Sequence, residues 1–268
     1  MQNGYYQVTG AMVTQFNRLD VISNNLANTN TIGFKRDDVV IGDFERIFKE
    51  TRDILPLDNH TKQAAKFLNR TIDRVPQVSE QYVDFSQGPL KHSSNPLDIS
   101  MGRKDLFFLV ETDNGVRLTK NGAFNIDNNG NLVTKEGYNV LPSTYFTANT
   151  NEIKILQNTE VTIDKNGNVY SGQNLISRLF VAQPREIRDL TKEGDNLYIL
   201  DKLEDLSDVD NSGAVLQGYA QMSNINPVTE MVGLIQTNRL VDAYQKVMTS
   251  HMNDLNQDAI QKLASTKA

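Results

Sequence analysis

The chain carries three histidines and no cysteine. His60, His92 and His251 stand far apart, and no pair has the spacing of metal ligands, so no metal site is expected. Without cysteine there is no thiolate nucleophile, disulfide framework or Cys-ligated metal. Carboxylates such as Asp98, Asp105, Glu111 and Asp127 could be cast as a glycosidase-type acid pair. With 33 acidic residues in the chain, such a set reads as solvated surface charge. Asp127-Asn128-Asn129-Gly130-Asn131 and Asp164-Lys165-Asn166-Gly167-Asn168 resemble the start of a calcium loop. That loop needs its glycine at the sixth position, a glutamate at the twelfth and helices on both sides. Here glycine is fourth and the flanks read as strands, so both are expected to be tight turns. Gly167 and Gly172 have the spacing of a phosphate loop, but Gln173-Asn174 stand where Lys-Ser/Thr is required. No nucleophile elbow or dinucleotide fingerprint is present. The residues point away from catalysis, and no cofactor is expected.

The elements that would position any function are easier to read. In 268 residues, 38% are hydrophobic and 7% aromatic, which allows one or two domains with a modest core. The mean hydropathy of -0.46 fits a chain with much solvated or partner-facing surface. A net charge of -6 and a pI near 5.2 leave no electrostatic footprint for nucleic acid or anionic membrane. No basic segment followed by an apolar one opens the chain, so no cleavable secretory signal is expected, and no apolar run is long enough to insert in a membrane.

Tyr5, Met12, Leu19 and Leu26 recur every seven residues, with Val8, Phe16 and Ile22 between them. They form the narrow stripe of a helix that packs on another helix. Gly4, Gly10 and several β-branched residues lower its intrinsic propensity, so it is expected to order fully only with partners. Asn24-Asn25-Leu26-Ala27-Asn28-Thr29-Asn30-Thr31-Ile32-Gly33-Phe34-Lys35 then stops it. Asparagine competes for helical hydrogen bonds, Gly33 supplies a positive φ, and Phe34 would pin the exit. Residues 35–75 read as a connector, with a short helical pattern on Phe44, Ile47, Phe48 and Leu55 before Pro56.

From residue 76 to 222 the period becomes strand-like. Leu106-Phe107-Phe108-Leu109-Val110 is wholly apolar and precedes Asp113-Asn114-Gly115, a hairpin signal. Short strands follow at turn intervals of 8–12 residues, which predicts a sandwich or barrel-like all-β domain. Residues 223–268 return to a helix. Asn226 would cap it and Pro227 open it. Leu234, Val241, Met248 and Leu255 are seven apart, with Met231, Tyr244 and Met252 near the complementary positions. The fold class is therefore α+β: residues 1–34 and 223–268 as an antiparallel, coiled-coil-like helix pair around a β domain. Pairing the stripes would still leave Tyr5, Phe16, Val228, Val232 and Ile235 uncovered, the mark of an association surface.

Three separated blocks resemble the bacterial flagellar axial proteins, rod subunits above all. They are Asn24–Lys35; Asn95-Pro96-Leu97-Asp98 with Phe107-Phe108 and Leu118-Thr119-Lys120-Asn121-Gly122-Ala123-Phe124; and Ser223-Asn224-Ile225-Asn226-Pro227-Val228-Thr229-Glu230-Met231-Val232. The resemblance implies export by the flagellar type III apparatus and terminal helices lining an inner tube. It also implies an outer β domain that turns within ring bushings or meets the next layer. Partners would be copies of this chain and other rod or hook subunits, and the place would be the rod crossing the periplasm. A proximal rod subunit is expected ahead of a distal one. The alternatives are a periplasmic wall-active enzyme with docking helices, or a hook subunit.

Overall fold

The computed structural model describes residues 2–43, 76–148, 150–156, 159–210 and 213–265. Side chains of 2–6 and of several residues after 253, Tyr5 and Leu255 among them, lie outside that description. So does the helical pattern expected over 44–55.

Helix α1 spans Gln2–Ala27. Strand β1, Arg36–Asp43, pairs with β2, Pro76–Asp84, so the first part of the expected connector is a strand. Next come β3 (Leu90–His92), β4 (Ile99–Met101), β5 (Phe107–Thr112) and β6 (Gly115–Thr119). β7 (Phe124–Ile126), β8 (Leu132–Thr134), β9 (Asn139–Val140) and the short helix α2 (Tyr145–Ala148) follow. Then come β10 (Val161–Ile163), β11 (Asn168–Ser171), β12 (Asn174–Arg178), β13 (Val181–Pro184) and β14 (Thr191–Gly194). β15 (Leu197–Ile199), β16 (Leu206–Asp208), β17 (Val215–Gln217) and β18 (Tyr219–Gln221) complete the strands. Helix α3, Pro227–Ser265, closes the chain. It starts at the proline, which needs no N–H there and arrives with helical φ.

The chain divides into two compact units. One gathers α1 as far as Leu26, most of the β1–β2 pair and α3; the other gathers residues 27–36 and 83–226. The second unit is built on a nine-stranded sheet whose main path runs β14-β15-β6-β5-β9-β8-β7, with β13 and β16 attached beside β5. All its pairings are antiparallel. β5 is central, and its apolar run is explained by burial on both faces. Phe108 and Val110 enter one core with Ile99, Phe124, Leu132 and Val169. Phe107 and Leu109 enter another with Leu118, Phe180 and Tyr198. The Phe108 and Phe124 rings meet edge-to-face at 5.0 Å, a geometry that adds to their burial. Antiparallel strands between two terminal helices make an α+β fold.

Both Asp-x-Asn-Gly-Asn strings are turns. Asp127 Oδ1 accepts from the backbone N–H groups of Asn129 (2.8 Å) and Asn131 (2.7 Å). Asp164 Oδ1 does the same for Asn166 and Asn168, both at 2.9 Å. Gly130 and Gly167 take φ of +87° and +85°. The aspartates are consumed as turn acceptors, the role their short side chains favour. Burial pushes the Asp164 carboxyl up, but donation from Asn168, Asn166 and Gly167 outweighs it and holds the group below its ordinary value.

Candidate assembly surfaces

The Asn-rich stretch after α1 does two jobs inside the chain. Asn25 is fully buried. Its Nδ2 donates to Asp37 O (2.8 Å) and its Oδ1 accepts from Asp37 N (3.0 Å), so one side chain closes both backbone valences at the head of β1. Asn28 Oδ1 accepts from the Thr31 hydroxyl at 3.1 Å. The next residues, 32–36, form a strap held by the β unit. Gly33 N donates to Gln221 O at 2.8 Å. Gly33 has φ +75°, and a Cβ there would stand 2.4 Å from Asn121 N. Only glycine suits both the angle and the approach. Phe34 is buried, with Lys192 Nζ 3.7 Å above its ring, a cation–π contact. Asn196 Nδ2 donates to Ile32 O at 3.4 Å. Arg36 N donates to Asn224 Oδ1 at 2.9 Å, and Asn224 Nδ2 donates to Asp84 O at 2.8 Å. One asparagine from the third motif block therefore joins the strap to the end of β2.

Two lysines complete this anchor, and neither role is visible in the sequence. Lys35 is buried and donates to Ser86 O at 2.8 Å. Burial lowers its pKa to about 8, with the Asp84 charge opposing. Lys120 is buried and donates to the carbonyls of Leu106 and Lys104, the latter at 2.8 Å. Its Nζ lies 4.0 Å from the Phe107 ring centroid. Burial pushes this ammonium well below the ordinary lysine value; the Lys35 charge adds to the effect and Asp105 opposes it. A lysine before Asn-Gly reads as surface in a sequence. The sole hint is its place in the Thr119–Phe124 block.

The two helices differ in which face is covered. Among the described residues of α1, Ala11, Thr14, Gln15, Ile22 and Asn25 are buried. Among the described residues of the expected stripe only Ile22 is buried; Val8, Met12, Leu19 and Leu26 are half-buried, and Phe16 is exposed. The covered face is thus rotated toward polar residues, and the apolar stripe runs along its flank. On α3 Glu230, Thr237 and Val241 are buried and Leu234, Tyr244 and Met248 half-buried; these six alternate by four and three, as a helix-packing seam does. A methyl added at Gly233 would lie 3.5 Å from Ile22 Cδ1, so the helices meet there. Away from this seam, Val228, Met231, Val232 and Ile235 are 46–64% exposed. Their spacing of three and four puts them on one face. Past Ile235 that face turns polar, with Arg239, Asp242 and Lys246 all exposed. Asn24, Asn226, Pro227 and Met252 are also exposed.

The carboxylates that could form an acid pair are each engaged elsewhere. Asp98 accepts from Ser93 Oγ and from Asn95 Nδ2. Asp105 pairs with Arg103 and accepts from Gln183 Nε2 at 2.7 Å. Glu111 accepts from Asn151 Nδ2 at 3.1 Å. The His92 ring packs edge-on to Tyr219 at 5.4 Å.

Comparison with known proteins agrees with this geometry. Residues 6–35 match the family described as flagella basal body rod protein, and 216–262 match the flagellar basal body rod FlgEFG protein C-terminal. Residues 105–171 match the flagellar hook protein FlgE/F/G D1 domain. The flagellar basal-body rod protein FlgG of Agrobacterium fabrum is 30% identical over 244 residues, covering 89% of this chain and 91% of the relative. The rod protein FlgF of Caulobacter vibrioides is 28% identical over 268 residues, covering 98% of each. The hook-basal body complex protein FlhO of Bacillus subtilis is 24% identical, covering 97% of this chain and 98% of the relative. With the Asn25–Asp37 lock, the Gly33–Phe34 strap and the Pro227 helix start falling inside the matched segments or at their borders, the chain belongs to the flagellar basal-body rod protein family.

Proposed function

We propose that this structural rod subunit assembles with copies of itself and other axial proteins into a helical tube that carries torque from motor to hook. The observation that carries the reading is the exposed apolar face Val228, Met231, Val232 and Ile235. An exposed apolar face of that kind marks an association surface, and heterologous contacts that do not close generate a tube. Phe16 and the half-buried Val8, Met12 and Leu19 would add the α1 side of the interface. Leu234, Val241, Tyr244 and Met248 would keep α3 on α1 in a coiled-coil-like pair that begins at the Ile22–Gly233 meeting point. Asn25, Gly33 and Phe34 act inside the chain and hold the exit of α1 rather than a neighbour. Residues 1–34 and 223–268 then serve as the inner tube, 35–75 as the connector and 76–222 as the outer domain. Of the rod positions the proximal one is preferred. The protein is exported by the flagellar apparatus, and its β domain faces the ring bushings. No helix among the described residues is long and apolar enough to cross a membrane.

The test replaces Ile235 by Asp in the chromosomal copy. The exposed site should leave monomer stability within about 0.5 kcal/mol, while basal bodies lose the rod at this subunit. Normal rods in the Ile235→Asp strain would refute the assignment of this face.

A further inference from the structure

The apolar face of α3 contains one group with redox chemistry, the thioether of Met231. It is 46% exposed and flanked by Val228, Val232 and Ile235. Elsewhere on the same helix Met252 is 48% exposed, with Asn253, Asn256 and Gln257 exposed near it. Met101, by contrast, is 1% exposed in the β core. Among the described residues, Met231 on the proposed interface and Met252 farther along the helix are similarly exposed, and Met101 is a protected reference.

We propose that Met231 is an oxidation-sensitive control point: its conversion to the sulfoxide in the unassembled subunit blocks rod incorporation, and assembly protects it. The step is a two-electron oxygen transfer from a peroxide. The sulfur lone pair attacks the terminal peroxide oxygen, the O–O bond breaks, an S–O bond forms, and water leaves when the oxidant is hydrogen peroxide. Sulfur is oxidised and the peroxide reduced, with no further reactant. The product exchanges a soft apolar side chain for a strong acceptor. On the free subunit the new S–O dipole is hydrated at no cost. In an apolar contact it must be buried without a donor, because Val228, Val232 and Ile235 offer none. The lesion therefore acts on association and leaves the monomer folded. A methionine sulfoxide reductase reverses it, so a stalled subunit is recoverable until it is built in. This inference rests on the assignment of the Val228–Ile235 face to assembly.

Two linked measurements test it. Purified full-length chain is treated with hydrogen peroxide and read by peptide mass spectrometry. Met231 and Met252 should oxidise at rates within a few-fold of each other, and Met101 far more slowly. In the strain of origin the chromosomal copy is replaced by Met231→Gln, a polar mimic of the sulfoxide, by Met231→Leu and by Ile235→Asp, and rods are counted in isolated basal bodies. Loss of rods with Met231→Gln, and normal rods with Met231→Leu, supports the proposal. Normal rods with Met231→Gln alongside loss with Ile235→Asp overturns it and leaves the interface assignment intact. Normal rods with both overturns the interface as well. Protection of Met231 from peroxide in the free chain also overturns it.

Discussion

Replacing Gly33 by Ala isolates the contact on which the strap depends. An alanine at φ +75° costs about 1–2 kcal/mol for the left-handed backbone. The added methyl would also stand 2.4 Å from Asn121 N, 2.6 Å from Asn121 Cα and 2.7 Å from Lys120 C. All three are backbone atoms, so no side chain can swing aside. The strap must move off by roughly 1 Å, an ordinary carbon contact being about 3.5 Å. That stretches the 2.8 Å bond from Gly33 N to Gln221 O, worth about 1 kcal/mol. The sum is about 3 kcal/mol or more. Gly137 supplies the control: φ is +97° and nothing described lies within 4 Å of where a methyl would stand, so Gly137→Ala carries only the backbone penalty. Urea unfolding of both variants, followed by circular dichroism, should separate them by about 2 kcal/mol, roughly a thirty-fold difference in equilibrium constant. Equal losses, within about 0.5 kcal/mol, would refute the close packing of residue 33 on the Lys120–Asn121 backbone.

Other outcomes follow from the same contacts. Asn25→Ala removes both side-chain hydrogen bonds to the Asp37 backbone and should cost about 2–4 kcal/mol, with faster amide exchange at Asp37. Lys35 has a folded pKa of about 8 against an ordinary value of 10.5, so the unfolded chain holds more protons between these values. Stability should then rise from pH 8 to about 10.5, by up to about 3 kcal/mol, and be flat for this group below pH 8. A Lys35→Met variant compared across that range by chemical denaturation should lack this rise. Phe108→Ala opens a cavity beside Phe124 and should cost about 3–5 kcal/mol, read from its urea midpoint.

The sequence is most legible where one local rule decides the structure. Phe107–Val110 reads as a strand because an apolar run before Asn-Gly has few alternatives, and two-sided burial accounts for the lack of alternation. The Asp-x-Asn-Gly-Asn strings declare their turns through the acceptor and the positive φ they need. Pro227 marks a helix start that the structure places at that residue. What stays hidden depends on contacts distant in sequence. β12 is mostly polar or half-exposed and is a strand because β11 pairs with it. Lys120 is buried because three carbonyls and the Phe107 face converge on it. The heptad spacing reveals the α1 stripe but not the face that is covered: Thr14 and Gln15 are inside while Phe16 is outside. Thr14 bonds to Gly10 O at 2.9 Å, so hydrophobicity alone cannot show the rotation. Phe16, Val228, Val232 and Ile235, which helix pairing alone would leave uncovered, are exposed.

Electron cryotomography of basal bodies from a strain deleted for this gene tests the central claim most directly. A rod that is absent or ends short is the predicted result, and the height of the stub fixes the position of the subunit along the axis. Basal bodies with a complete rod and hook would contradict an essential axial role for the chain.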